Sequence, residues 1–576
     1  MKYLRPILVF LLLLLLFAAA WLYWWRPVRV DMAAYVPADA VLYLEANNLP
    51  DLITGMTRTD GWKKLGPAAG INPDAGRIDW LSRLAARTGI GPAETVVLSR
   101  AQVAVVMLGI ETGRDGEDTL KIKPRIAIVV ETHTGERRTE AAVEKLVGSF
   151  ARRAYGEPLI KREESEGAKL MTWTAPGGSR QIVAAVMGSL AVIGNDEEAV
   201  RACLQVRRSQ RPGLAGNPQL EQMRARVSGS DAIAFGYISP KGATRLLEVI
   251  APLYASQISD NPHAQSVAAS FLLPMANKVL GSVGWSSRFT GGGVEDHYFV
   301  ALQNGLADQL REPLALASTS TTTKTGELLP ASIYSLSRYN SREPAEAWRG
   351  LKTTLLSQAD AMAAVLISTF FDELLKPYGV EEPASFLRAI GPEIVTARLD
   401  DTGSSTVTIV EVRDEKALRD FVSKRIGPNA RSERLGEIEM LVSREEKRGA
   451  VAFLAGHLLM GSEASVRRCL EARAQNKTLA VDQTFQQAAR SATGDSPASV
   501  LTYTDDEQAA LKFISSIMAQ RGARGGPANY SEMERALTGL PYAVSETRLA
   551  EGGFERKTHS TFGQLGALAA QFTPAR

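Results

Sequence analysis

GSLAVIGNDEEAVRACL, residues 188–204, returns in altered form as GHLLMGSEASVRRCL, residues 456–470. Each stretch reads as a short apolar run after a Gly, a small polar cluster, and then a helix carrying one Cys. The chain has only 2 cysteines, and both fall in this pattern. An Asp or Ser ahead of a helical period is a helix-start signal, and a Gly between two apolar runs is a hairpin signal. Both copies therefore read as strand pair, turn and helix.

The match extends outward in both directions. PADAVLYLEANNLPDL from Pro37 corresponds to LPASIYSLSRYNSREP from Leu329. WLSRLAARTGIGPAETVVLSR from Trp80 corresponds to PASFLRAIGPEIVTARLD from Pro383, each read as a helix stopped at Gly-Pro and followed by a strand. The strand-helix units PRIAIVVETHTGERRTEAAVEKLVGSF and STVTIVEVRDEKALRDFVSK follow in the same order. Their apolar residues Val143, Leu146 and Val147, and Leu418, Phe421 and Val422, keep helical spacing. Both series then close on a hairpin, GSVGWSSRFTGGGVEDHYFVAL in the first and GLPYAVSETRLAEGGFERKTHS in the second. Short likenesses in strict shared order point to an internal duplication.

The first residues read differently. Lys2 and Arg5 precede an uncharged run over residues 6–25 that ends in Trp21, Tyr23, Trp24 and Trp25. A run of that length nearly matches a bilayer core, and the aromatic residues suit its interface. The expected fold is therefore α+β: a single N-terminal transmembrane helix, then two tandem homologous α+β domains with mainly antiparallel sheets. The expected divisions are a head and anchor over 1–30, a first domain over 31–316, a Thr/Ser-rich linker over 317–327, a second domain over 328–567 and a tail over 568–576. The lipid bilayer is the expected partner of residues 6–25. The expected location is the cytoplasmic (inner) membrane, crossed once, with the bulk of the chain outside.

At 576 residues with 45% apolar and 22% charged residues, the composition is that of an ordinary globular chain. A net charge of +3 gives no reason to expect nucleic acid as a partner. Cys203 and Cys469 each lie beside Val and Leu on a helix and read as small buried apolar groups rather than as a bridge. The clusters KREESEGAK and SREEKRG read as solvated faces or turns.

Chemistry is sparse. His133, His263, His297, His457 and His559 stand singly, without metal-ligand spacing. Glu295, Asp296 and His297 form one acidic-histidine trio, weighed as a metal or acid-base group against a polar hairpin edge. No nucleophile elbow and no phosphate loop is present, and Ser179 after two glycines reads as a turn. Arg207, Arg208 and Arg211 form a small basic cluster suited at most to lipid headgroups. The apolar runs Phe271–Leu280 and Ala361–Leu375, with Met187, Met275 and Met362, read as core or as the wall of a groove for an apolar ligand. No catalytic, cofactor-binding or metal residues are assigned.

Pro37, Ala38, Asp39, Ala40 and Tyr43, with Gly194, Ala199 and Val200, resemble the corresponding blocks of a bacterial family known as domain of unknown function 3352. That resemblance implies an anchored, largely extracytoplasmic protein and carries no activity. The expected function is thus a membrane-tethered binding or scaffold protein of the cell envelope, with an envelope protein or an apolar ligand as partner. The competing expectation is an envelope hydrolase or lipid-handling enzyme with a site between the repeats.

Overall fold

The computed structural model describes residues 29–46, 49–68, 91–115, 119–178, 180–229, 231–258, 276–317, 325–359, 380–445, 448–491, 498–508, 510–511 and 527–564, with 364, 367–368, 371 and 375 besides. Strands of the first half are β1 (Leu42–Ala46), β2 (Gln102–Asp115), β3 (Thr119–Glu131), β4 (Leu159–Ser165), β5 (Ala168–Thr174), β6 (Gln181–Met187), β7 (Leu190–Gly194), β8 (Ala234–Ile238), β9 (Leu280–Thr290) and β10 (Gly293–Leu302). Those of the second are β11 (Ser335–Asn340), β12 (Ile390–Arg398), β13 (Thr406–Val412), β14 (Arg431–Leu435), β15 (Ile438–Val442), β16 (Ala450–Leu454), β17 (His457–Gly461), β18 (Val500–Thr504), β19 (Ala543–Ala550) and β20 (Gly553–Ser560).

In space the first half runs β4-β5-β6-β7-β3-β2-β1-β8-β9-β10, every neighbour antiparallel. The second half runs β14-β15-β16-β17-β13-β12-β11-β18-β19-β20, in the same order. The two sheets meet edge to edge, because β10 pairs with β20 from Val294–Ser560 to Ala301–Gly553. One sheet of 20 strands results.

The repeated motif builds the same local structure twice. Gly188 and Gly456 take φ of 63° and 75° between β6 and β7 and between β16 and β17, a left-handed turn that Gly makes without Cβ strain. Asp196 then caps the helix Glu197–Arg207 by accepting from the Ala199 amide, and Ser462 caps Glu463–Ala474 by accepting from that of Ser465. Each helix lays its apolar stripe on the sheet. Val200, Cys203 and Leu204 join Tyr43, Val106, Leu190 and Phe235 in one core. Cys469 joins Leu336, Ile409, Leu459 and Tyr503 in another. Each Leu or Val shut away there contributes roughly 1.5–3 kcal/mol. Both thiols are free and buried, and burial pushes each up to about 12.

Contacts also cross between the halves. Leu65, on the helix Asp60–Ala68, packs with Ala510, Leu537 and Leu540. The Asp296 carboxylate in β10 accepts from the Gln564 amide beyond β20. Close by, Asp506 is almost fully buried and accepts from the Thr561 amide. Burial pushes its carboxyl up to about 6. A raised acid favours the neutral form in the folded state. Its contribution is therefore complete below the unfolded value near 4 and is lost as pH rises through about 6. Asp506→Asn, nearly isosteric with the protonated acid, should remove that loss. Thermal melts should show the variant gaining about 2 kcal/mol over the parent above pH 6.5, with the two converging near pH 4.

Several expectations need correction. No helix among the described residues is long and apolar enough to cross a membrane. Two long ones, Glu136–Tyr155 and Pro240–Ile258, are interrupted by charges such as Arg138, Glu144, Arg245 and Glu248. Residues 6–25 lie outside the described residues. The fold class is accordingly an α+β fold with a large antiparallel sheet. The transmembrane helix, the lipid bilayer as partner of residues 6–25, the single-pass topology and the envelope location drawn from them are not carried forward.

The Gly-Pro reading also fails, because Gly91–Pro92 opens a helix. Pro92 begins Pro92–Leu98, and the Glu94 carboxylate accepts from the Gly91 amide at 2.6 Å. A missing N–H costs nothing in a first turn, where amides are unpaired anyway. In the second half the helix Pro383–Ala389 ends first, and Gly391–Pro392 lies at an irregular start of β12. Of the linker 317–327, residues 318–324 lie outside the described residues, as does the tail 568–576. Thr325 is buried and donates to Glu393.

Candidate functional site

The β9–β10 and β19–β20 hairpins form the seam between the halves. Gly293 and Gly553 each open the second strand of their hairpin. Taking these as equivalent, Arg288 corresponds to Arg548, Glu295 to Glu555 and His297 to Lys557. The register places His297 directly opposite Lys557. Two counterparts that face each other put the approximate two-fold axis relating the hairpins between them.

Alternation along a strand sends Glu295 and His297 to one face and Asp296 to the other. Asp296 is buried at 1% exposure and accepts from Trp285 Nε1 at 2.9 Å, and burial raises its carboxyl above the ordinary carboxylate range. The trio is thus divided by the sheet and forms no metal centre. Among the described residues no three His, Cys, Asp or Glu side chains gather to hold a metal.

On the other face the hairpins repeat one ion pair. Arg288 Nη2 meets Glu295 at 2.8 Å, and Arg548 Nε meets Glu555 at 2.7 Å. His297 lies between them, with Nε2 at 2.7 Å from Glu555 Oε1 and Nδ1 at 3.2 Å from the Val227 carbonyl. Burial alone would raise the Glu555 carboxyl, yet hydrogen bonds from Arg548 and His297 prevail and hold it below its usual range. Both ring nitrogens of His297 lie within hydrogen-bond distance of protein oxygens, so the ring is already engaged on both sides.

A cavity of about 250 Å³ opens over this seam. Arg226, Ser228 and Arg288 line it from the first half together with Glu295 and His297, and Lys557 enters from the second. Arg226 stacks on Phe299 at 4.6 Å and donates to the Glu551 carbonyl at 3.1 Å, so it clasps the second half's hairpin turn. Glu295 is neutralised by Arg288. Lys557 is half-buried and faces Glu546 across the β19–β20 register. Burial raises the Glu546 carboxyl and the charges of Arg548 and Lys557 oppose that rise, while no carboxylate lies within ion-pair distance of Lys557 among the described residues. The Ser228 Oγ is shut from solvent without a hydrogen-bond partner.

Of the sequence candidates, only Glu295 and His297 line this site. Arg207 stacks over Tyr35 at 5.7 Å, Arg208 pairs with Glu166, and Arg211 pairs with Asp39 at 2.6 Å, so the basic cluster is dispersed into separate contacts. His133 bonds Gln102 at 2.9 Å, and His457 bonds the Ala455 carbonyl. Ser179, His263 and most of the two apolar runs, including Met275 and Met362, lie outside the described residues. Charged and hydroxyl groups line the seam cavity, and the groove for an apolar ligand expected along Phe271–Leu280 and Ala361–Leu375 falls mostly outside the described residues.

Arg226, Arg288 and Lys557 escaped the sequence reading. One signal was present: an Arg seven positions before a Glu, around a Gly-Gly pair, in both SRFTGGGVED and TRLAEGGFER. No family model, no curated protein and no solved structure matches the chain, so the resemblance to a bacterial family of unknown function has no support beyond the residues that suggested it.

Proposed function

We propose that this chain is a binding protein, built from duplicated halves over 31–316 and 328–567, that takes a small anion at the seam between them. The identical strand order of the halves supports the duplication. Arg226 and Lys557, brought to one cavity from the two halves with no carboxylate within ion-pair distance of either among the described residues, carry the ligand assignment. Two cations brought to one cavity repel each other, and a carboxylate or phosphate oxygen between them would offset that cost. Arg288, its charge already met by Glu295, borders the site, and the Ser228 hydroxyl offers a further donor. Catalysis is disfavoured because His297, Glu295 and Glu555 spend their reactive atoms on one another and on Arg288, Arg548 and Val227.

Titration calorimetry with inorganic phosphate and with succinate tests this reading. At least one should bind, with affinity falling as salt is raised. Lys557→Met should weaken that binding about 10- to 100-fold, the worth of one charge-assisted hydrogen bond. Lys241→Met, on the helix Pro240–Ile258 and not lining the cavity, should leave it unchanged. Failure of both anions to bind, or equal binding by Lys557→Met, would overturn the proposal.

A further inference from the structure

A second cavity, of about 220 Å³, lies between the helices Pro383–Ala389 and Glu415–Ile426, away from the seam. Its wall is apolar: Phe386, Ala389, Leu418 and Phe421, the two rings 4.7 Å apart and tilted. Arg425 also lines it. The Nε and Nη1 atoms of that guanidinium are shut from solvent with no acceptor, and burial lowers its pKa. Three carboxylates, those of Glu381, Glu382 and Asp420, stand exposed at the rim against one ammonium, that of Lys424.

This arrangement has a cation without an acceptor inside, acids at the rim and aromatic rings between. A simple anion would meet a rim that carries three carboxylates against the single Lys424 ammonium. A simple cation would leave Arg425 unsatisfied. A molecule with both charges and a short apolar arm satisfies every part. The volume is below the roughly 300 Å³ at which drug-sized pockets begin, so the guest has few heavy atoms.

We propose that this cavity binds a small apolar α-amino acid as its zwitterion. The carboxylate pairs with Arg425, whose planar fork matches it. The ammonium faces the rim acids, and the side chain packs on Phe386 and Phe421.

Calorimetry on the full chain with L-leucine, 4-methylpentanoate and 3-methylbutylamine separates the contributions. Leucine should bind, and the two analogues, each lacking one charge, should bind at least tenfold more weakly. Arg425→Met should lose leucine by at least tenfold. It should also keep its fold, checked by circular dichroism, because removing an unpaired buried charge strands no partner. Lys557→Met should bind leucine as the parent does, which keeps this site distinct from the seam. Absence of leucine binding, undiminished binding by Arg425→Met, or equal binding of the amine would overturn the proposal.

Discussion

Glu393→Ala should lower the unfolding free energy by about 3–5 kcal/mol, the usual cost of stranding one member of a buried ion pair. Glu393 in β12 lies 2.8 Å from Arg338 Nε in β11, and the two are 5% and 7% exposed. Thr325 donates to the same carboxylate, so the variant also loosens the chain's entry into the second half. Replacing both members, Arg338→Met with Glu393→Leu, should recover most of the loss, because no charge is then left buried alone. Denaturant midpoints of the single and double variants check this, and equal losses in both would show that shape rather than charge governs the site. The equivalent strand of the first half carries its own buried charge, Glu45, met instead by Arg224 from a helix at 3.2 Å. The position keeps a charge in both halves while its sign and partner differ.

That exchange shows why architecture was legible in the sequence and the site was not. Apolar periodicity and turn glycines report each segment's own neighbours, and they recur in order around Cys203 and Cys469. The helix starts at Asp196 and Ser462 followed from local capping chemistry alone. Where two local signals competed, the reading failed. Gly91–Pro92 suits a helix stop as well as a first turn, and only the back-bond from Glu94 decides between them. KREESEGAK, read as a solvated face or turn, covers most of the largely exposed β4, a turn at Glu166 and Gly167, and the start of β5, and the strand itself was not legible there. Charges such as Lys161, Arg162 and Glu163 hide the strand period there because β4 is an outer edge, paired among the described residues only with β5, where charge discourages further pairing.

The seam cavity was less visible still. Arg226 and Lys557 approach only because β10 pairs with β20, a contact between residues more than 250 positions apart. Glu295 and His297 drew attention as neighbours of Asp296, yet the alternation that made them a trio in sequence separates them in space. Internal symmetry was the recoverable signal, since aligning the two hairpins on their glycines sets Arg288 with Arg548 and Glu295 with Glu555.

Gly553→Ala tests whether the halves work as one unit. Gly553 opens β20 opposite Ala301 of β10, and a Cβ added there would lie 2.1 Å from the Val300 carbonyl oxygen. Backbone cannot yield as a flexible side chain does, so one methyl must push the strands apart where Arg226 reaches across to Glu551. Overpacking of this kind costs typically 1–3 kcal/mol, and a backbone clash belongs at the upper end, about 3 kcal/mol. The loss should concentrate at the seam. Hydrogen exchange should accelerate at β10 and β20 amides while those of β6 and β16, deep in each half, stay protected. Anion binding should fall with it, because Lys557 would be displaced from Arg226 and Arg288. Gly109→Ala is the control: its added Cβ would meet nothing nearer than Arg125 Cδ at 4.0 Å, so stability should stay within about 0.5 kcal/mol. If Gly553→Ala left exchange at the seam unchanged, the edge-to-edge joint would not hold the halves together, and a site shared across it would lose its basis.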